Sequence, residues 1–107
     1  MQKLKLLPSL KEKKRYLVYQ VSSSVKSHNQ IIDQCNTLLG LFDGAKAGIR
    51  LLQSQGSLGI IRVTNTHLDK LRFCIAMIEK LDNKQVRIDT IYVSGLLNKA
   101  KRVMKNG

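Results

Sequence analysis

Hydrophobic residues alternate along the segment from residue 15 to residue 22. The two sets of apolar positions, one for each side of an extended chain, are Leu17, Tyr19 and Val21, and Tyr16 and Val18. β-Branched and aromatic residues dominate the segment, and the side chains of a strand alternate between its two faces. The pattern therefore predicts a β-strand that begins directly after a cluster of basic residues.

The apolar residues of the next segment recur with the period of an α-helix. Six apolar residues recur at the spacing of one helix face, and these are Ile31, Ile32, Cys35, Leu38, Leu39 and Phe42. Ser27 and Gln30 have the spacing of an N-terminal capping box. Gly44 is expected to end this first helix.

Two strands are predicted next, at residues 46–54 and 59–64, and the Gln55-Gly56-Ser57 connection suits a hairpin. Thr66 is expected to cap a second helix, with Asp69 three residues further on. Its apolar face consists of Leu68, Leu71, Ile75, Ile78 and Leu81, with Phe73, Cys74 and Met77 beside it. A turn is expected at residues 82–84.

The last predicted strand, QVRIDTIYVSG, contains a change of phase. Val86 and Ile88 are in step, whereas Ile91 and Val93 are one residue out of step. A β-bulge near Asp89-Thr90 would account for the change. A short amphipathic helix follows Gly95, with an apolar face of Leu96, Leu97, Ala100, Val103 and Met104 and a polar face of Asn98, Lys99, Lys101, Arg102 and Lys105.

The predicted order is β-α-β-β-α-β with an additional C-terminal helix. This order is typical of the ferredoxin-like α+β sandwich, which the RNA-recognition motif shares. Two helices would cover one face of a four-stranded antiparallel sheet, and the other face would be open unless the extra helix or a partner covers it. We expect one domain over residues 1–107, with a basic arm (1–14), a sandwich (15–95) and a basic helix and tail (96–107).

Charge gives the first indication of function. The chain has 19 Lys and Arg against 7 Asp and Glu, a net charge of +12. Residues 1–16 carry a net +5 and residues 94–107 a net +4, so the two ends hold most of the excess. Such a balance favours a polyanionic partner, either nucleic acid or an anionic membrane surface. No stretch approaches 18 uncharged apolar residues, and no signal-peptide pattern is present.

The residues that could carry catalysis are few. His28 and His67 are predicted in the first turns of helices, where a surface position is favoured over a metal site. Cys35 and Cys74 lack C-x-x-C spacing and are expected to be reduced, inert thiols beside the core. No glycine-rich phosphate loop is present. If a reaction is involved, this chain is not expected to supply the reacting groups.

Binding residues are easier to nominate. The strand LGIIRVT has no aromatic residue, so the base-stacking signature of the RNA-recognition motif is absent. Tyr16 either stacks on a base from the open face or, as we favour, packs internally. Alternation places Arg62 on the face opposite Ile61 and Val63, where it must meet solvent, an acid or a phosphate.

The segments LPSLKEKKRYLVYQV, GAKAGIRLL, GIIRV, HLDKLRFCIAMIEKL and YVSGLLNKAKR occur in this order. Together they resemble the protein component 2 family of archaeal and eukaryotic ribonuclease P over almost the whole chain. The L-P-x-L-x-x-K-[KR]-R-Y run and the V-S-G before a lysine-rich helix are its most specific parts. The sequence departs from the family pattern at Ser9, where a second proline is common, and at Leu96-Leu97-Asn98, where a Thr-Ile-Lys run is common.

The resemblance implies a ferredoxin-like subunit of the ribonucleoprotein that removes the 5′ leader of precursor tRNA in the cytoplasm. The RNA subunit would carry the catalysis with Mg²⁺, and this chain would bind no cofactor itself. Protein partners would be a TIM-barrel-like subunit and a second copy of the chain within a heterotetramer. By position, the RNA-binding residues of the family fall on Lys11, Lys13, Lys14 and Arg15 and on Lys99, Lys101, Arg102 and Lys105, to which we add Arg62.

Two other functions remain open at this stage. One is a regulatory or small-molecule-binding ferredoxin-like module, for which the chain offers no evident pocket and a discouraging charge. The other is a general RNA- or ribosome-binding protein without any link to tRNA processing.

Overall fold

Residues 13–106 are described by the structure, a computed structural model. Four strands form an antiparallel sheet in the order β2-β3-β1-β6. Its strands are β1 (Lys14–Val21), β2 (Arg50–Gln55), β3 (Leu58–Thr64) and β6 (Ile88–Ser94). The helices are α1 (Asn29–Ala47), α2 (Leu68–Met77) and α3 (Leu97–Asn106), and a small hairpin pairs β4 (Lys80–Leu81) with β5 (Lys84–Gln85). The predicted ferredoxin-like order is confirmed.

Strand β1 lies between β3 and β6 and is buried on both faces. Leu17, Val18 and Tyr19 are all inaccessible to solvent. Opposite β6, the register shifts between Val18 and Tyr19, so that Ile91 has no partner on β1. This irregularity is the bulge that the change of phase predicted, one residue beyond Asp89-Thr90.

The larger core lies between the sheet and the helices α1 and α2. Leu17, Tyr19 and Val21 of β1 pack there against buried residues of both helices. These include Ile31 and Cys35 of α1 and Leu71, Cys74 and Ile75 of α2. Ile78 and Leu81 belong to the same core, although α2 ends before them at Met77.

Helix α3 covers the other face of the sheet. Ala100 and Met104 pack against Val18, Leu58 and Ile60 in a second core cluster. Tyr16 and Tyr92 are partly buried against the same cluster. Of the two roles considered for Tyr16, the structure therefore supports internal packing.

Helix α1 differs from its prediction because of its glycines. Gly40 interrupts the helix with φ 83°, a left-handed conformation that glycine tolerates best. Beyond this kink Phe42 leaves the predicted stripe and is 78% exposed. Leu38, which precedes the kink, is half-exposed. The helix also continues past Gly44 and ends at Ala47, and the N–H of the capping residue Gly48 donates to the carbonyl of Gly44.

Both predicted N-terminal caps are wrong. Helix α1 begins after His28 without a side-chain cap, so Ser27 does not form the capping box with Gln30. Instead, the Gln30 amide donates to Asp82 in the β4–β5 turn. Thr66 lies inside a 3₁₀ turn that precedes α2, and that turn displaces the start of α2 to Leu68.

His28 is buried, in contrast to the surface position predicted for it. Its Nε2 lies 2.9 Å from the carbonyl oxygen of Gly56, and its Nδ1 lies 2.5 Å from the hydroxyl of Tyr19. Since a carbonyl only accepts, Nε2–H donates to Gly56, and Nδ1 accepts from Tyr19 in the neutral ring. This Tyr19–His28–Gly56 bridge joins β1 to the start of α1 and to the β2–β3 turn.

Gly59 makes room for this bridge. It pairs with Tyr19 across β1 and β3, and a Cβ added at Gly59 would overlap the phenol of Tyr19. Burial, and secondarily the neighbouring Cys35, raises the pKa of Tyr19 well above its usual range. The phenol therefore stays protonated and serves as a hydrogen-bond donor.

Leu71→Ala should destabilise the fold by about 2–5 kcal/mol, because Leu71 is fully buried between α2 and the sheet. Leu38→Ala, the same change at a half-exposed position, should cost about 1 kcal/mol or less. Urea denaturation of both variants compares the two costs. Equal losses would contradict this assignment of the core.

Tyr19→Phe should cost about 1–3 kcal/mol in the free energy of unfolding, since it leaves Nδ1 of a buried His28 without a donor. Tyr92→Phe removes a hydroxyl that donates to no other described residue, and it provides the matched control. Thermal denaturation at pH 7.5 compares them. If the two variants were equally stable, the bridge would contribute nothing.

Candidate nucleic-acid interface

The predicted cationic cluster enters the sheet at the start of β1. Lys14 is the first residue of the strand and pairs with Thr64 of β3. The carbonyl of the exposed Lys13 accepts from the backbone N–H of Asn65 at 2.8 Å, which fixes the chain just before the strand. Lys11 lies outside the described residues.

Arg15 is partly buried and extends towards the end of β6. Its guanidinium lies so close to Gly95 that a Cβ there would come within 3.0 Å of Nη1. The same Nη1 donates to the carbonyl of Lys14 at 3.3 Å. The guanidinium of Arg15 therefore lies beside the chain that leaves β6.

Arg62 occupies the middle of the sheet, on the side that α3 covers. Its cross-strand neighbours are Tyr16 on β1 and Arg50 on β2. The side chain is partly buried, and its Nε is enclosed without a hydrogen-bond partner among residues 13–106. Sequence analysis predicted that Arg62 meets solvent, an acid or a phosphate. Among the described residues, no acid pairs with it.

Helix α3 presents the remaining predicted cations. Its inner face is fixed by Ala100 and Met104, so its outer positions are exposed to solvent. These exposed residues are Lys99, Lys101, Arg102 and Lys105.

We call the cations on the α3 side of the sheet the cationic face: Lys14, Arg50, Arg62, Lys99, Lys101, Arg102 and Lys105. Within the described chain none of them forms a salt bridge. Sequence reasoning missed Arg50, whose place beside Arg62 follows from strand pairing alone. Unpaired cations on a rigid surface are available to phosphates.

The acidic residues that do form ion pairs pair with other cations. The Lys70 ammonium lies 3.1 Å from Asp43, and His67 lies 3.6 Å from the same carboxylate. The hydrogen bond from Lys70, followed by its charge and by His67, lowers the pKa of Asp43. Arg87 pairs with Asp89.

The remaining reactive side chains take part in structure. Burial, and secondarily the neighbouring Cys74, raises the pKa of the Cys35 thiol to about 12. Burial also raises the pKa of Cys74, and both cysteines are free. A protonated thiol is a poor nucleophile. No group of three or more His, Cys, Asp and Glu side chains suited to a metal occurs within residues 13–106.

An apolar surface on the helices was not predicted. We call it the apolar helical surface, and its exposed residues are Leu38, Leu41, Phe42, Phe73 and Met77. A groove of about 320 Å³ between α1 and α2 connects Leu38 with Phe73, and Asp43 and Asp69 also line it. The signals in the sequence were the placement of Leu41 outside the helical stripe and the marginal positions of Phe73 and Met77.

No helix among the described residues is both long and apolar enough to cross a membrane.

Fold and cationic face together define a ferredoxin-like protein suited to a polyanion. A family model described as the Rpp14/Pop5 family matches residues 13–105, and the chain belongs to this family. Its relatives include proteins named ribonuclease P protein component 2. The protein of Methanosarcina mazei is 30% identical over 101 residues, covering 90% of this chain and 87% of the relative. That of Thermococcus kodakarensis is 28% identical over 104 residues, covering 91% and 87%.

A chain in the cryo-EM structure of yeast ribonuclease MRP has a similar fold. The TM-score is 0.65 at 15% sequence identity, and the match covers 89% of this chain and 91% of that chain. At this level of identity the match supports the ferredoxin-like fold alone.

Proposed function

We propose that this chain is a protein subunit of ribonuclease P that binds and supports the catalytic RNA in removing the 5′ leader of precursor tRNA. The observation that carries the proposal is the cationic face, unpaired within the described chain, on a member of a family whose relatives are named ribonuclease P protein component 2.

In this proposal the chain is not catalytic by itself. Its two histidines make structural contacts, His28 with Tyr19 and Gly56 and His67 beside Asp43. Its two thiols have raised pKa values and are held protonated. Mg²⁺ bound by the RNA subunit would activate water and stabilise the leaving oxygen, without a ligand from this chain.

The cationic face would act on RNA folding. Compact RNA brings phosphates together, and their repulsion must be offset by counterions or by protein cations. Lys14 is held by strand pairing and the cations of α3 by the packing of Ala100 and Met104. Such preorganised charges bridge two RNA segments at little ordering cost and reduce the Mg²⁺ that the active fold requires.

The apolar helical surface would bind protein. Leu38 and Phe73 line one groove between α1 and α2, and the other exposed apolar residues lie on the same two helices, across the sheet from α3. Exposed apolar patches mark interaction sites. We assign it to the TIM-barrel-like subunit of ribonuclease P and not to a second copy, because two copies that each carry a net charge of +12 repel one another. Two copies of each protein would form the heterotetramer, in the cytoplasm.

Neutralising Lys13, Lys14 and Arg15 to Gln should leave the fold intact, because none of them forms an ion pair with a described residue. It should weaken binding to ribonuclease P RNA and lower the log–log salt slope by roughly 0.7–0.9 for each phosphate that the variant no longer neutralises. In the reconstituted enzyme it should raise the Mg²⁺ concentration for half-maximal cleavage of precursor tRNA.

The matched control is Lys80→Gln with Lys84→Gln and Arg72→Gln, which removes three exposed charges from the β4–β5 hairpin and α2. Equal reductions of affinity in both triple variants would mean that a diffuse field, not the start of β1, holds the RNA. The wild-type chain without RNA should leave precursor tRNA uncleaved. Copurification with ribosomal RNA instead would favour the general RNA-binding function.

Replacing Leu41 and Phe42 by Ser should weaken binding to the TIM-barrel-like subunit at least tenfold without unfolding the chain, since both side chains are about four-fifths exposed. Calorimetric titration measures this affinity, and RNA binding should be unchanged. Leu96→Ser, at an exposed position next to α3, is the control. Loss of self-association alone would assign the surface to a second copy.

A further inference from the structure

Two arginines face each other across β2 and β3. Arg50 is the direct cross-strand partner of Arg62, and Tyr16 of β1 is the partner of Arg62 on its other side. Directly opposed residues of an antiparallel pair lie on the same face of the sheet. Lys14, two residues before Tyr16, also belongs to this face.

This arrangement is unfavourable in the isolated chain. Like charges on directly opposed residues destabilise a sheet. No carboxylate within the described residues pairs with Arg50 or Arg62. The enclosed Nε of Arg62 lacks an acceptor, and an enclosed donor without a partner costs free energy. An anion between the two side chains would offset the repulsion of the opposed charges.

The end of the sheet that holds these cations lies away from the last turn of α3. That turn forms a cleft with Gln53 and Gln55, in the opposite half of β2 from Arg50. Arg50 is exposed, whereas Arg62 is only partly so. An anion can therefore approach from the side of Arg50 and reach the guanidinium of Arg62.

We propose that Arg50, Arg62 and Lys14 form a phosphate-binding site on this end of the sheet. A planar guanidinium offers parallel N–H donors to two oxygens of one phosphate, and a phosphate has enough oxygens to engage two such groups. That the occupant is a backbone phosphate of the RNA rests on the proposed function. The site adds Arg50 to the residues nominated from the sequence. It also gives Arg62 a specific role, in which the planar guanidinium donates hydrogen bonds to the phosphate.

The first test uses the full chain without RNA. Inorganic phosphate should raise the melting temperature above that in chloride at matched ionic strength, because it binds the folded state. Arg50→Gln and Arg62→Gln should lose this increment, and Arg50→Gln should melt no lower than wild type in chloride, since it relieves the opposed charges. Arg72→Gln, an exposed change of equal charge on α2, should keep the increment. Equal increments in all variants would overturn the site.

The second test measures RNA affinity against salt. Arg50→Gln and Arg62→Gln should each lower the salt slope by roughly 0.7–0.9, and Arg72→Gln by less. Arg62→Lys keeps the charge but loses the guanidinium, so it should bind RNA more weakly than wild type. If wild type binds RNA and all variants match Arg72→Gln, the site is wrong and the proposed function stands. If phosphate stabilises only chains with both arginines and none binds the RNA, the site stands and the proposed function is wrong.

Discussion

Burial of β1 on both of its faces is the constraint on which the rest of the structure depends. A strand covered on one side has a solvent face that tolerates variation, whereas β1 must satisfy two cores at once. Leu17 and Tyr19 belong to the core under α1 and α2, and Val18 belongs to the core under α3. A slip of one residue would exchange these sets, so the register of β1 is strongly determined. The positions of Lys14, Arg15 and Tyr16 follow from it.

Local periodicity predicted much of this fold. The two-sided pattern of β1, the change of phase in β6 and the apolar face of α3 are each contained in a few neighbouring residues. The first two were confirmed. The face of α3 was confirmed except at Leu96, which precedes the helix and is 58% exposed. The course of α1 was not predictable in the same way. Its stripe of apolar residues is regular in the sequence, but the kink at Gly40 depends on a backbone conformation that a sequence pattern does not reveal. The β4–β5 hairpin was missed because its strands are two residues long and carry no pattern.

The residues of the candidate site, too, were predictable only where local periodicity determines their position. Alternation and helix period were enough to nominate Arg62 and the cations of α3. Arg50 and the buried role of His28 depend on contacts between residues distant in the sequence, which the order of residues does not reveal. The apolar helical surface was concealed differently, since Leu38 and Phe42 fit a core-facing stripe and proved exposed. Helix α3 takes part in both the core and the site: its inner face completes a core, and its outer face completes the cationic face.

Gly59 has a consequence for how this protein can change over time. The phenol of Tyr19 occupies the space where any other residue at position 59 would place its Cβ. A chain that acquires a larger residue at 59 must therefore replace Tyr19 by something smaller, and His28 then loses its hydrogen-bond donor. Positions 19, 28 and 59 are distant in sequence but are expected to vary as a unit. In an alignment these positions would form a correlated triplet. The correlation between positions 19 and 59 would be steric in origin, and that between positions 19 and 28 would come from the hydrogen bond.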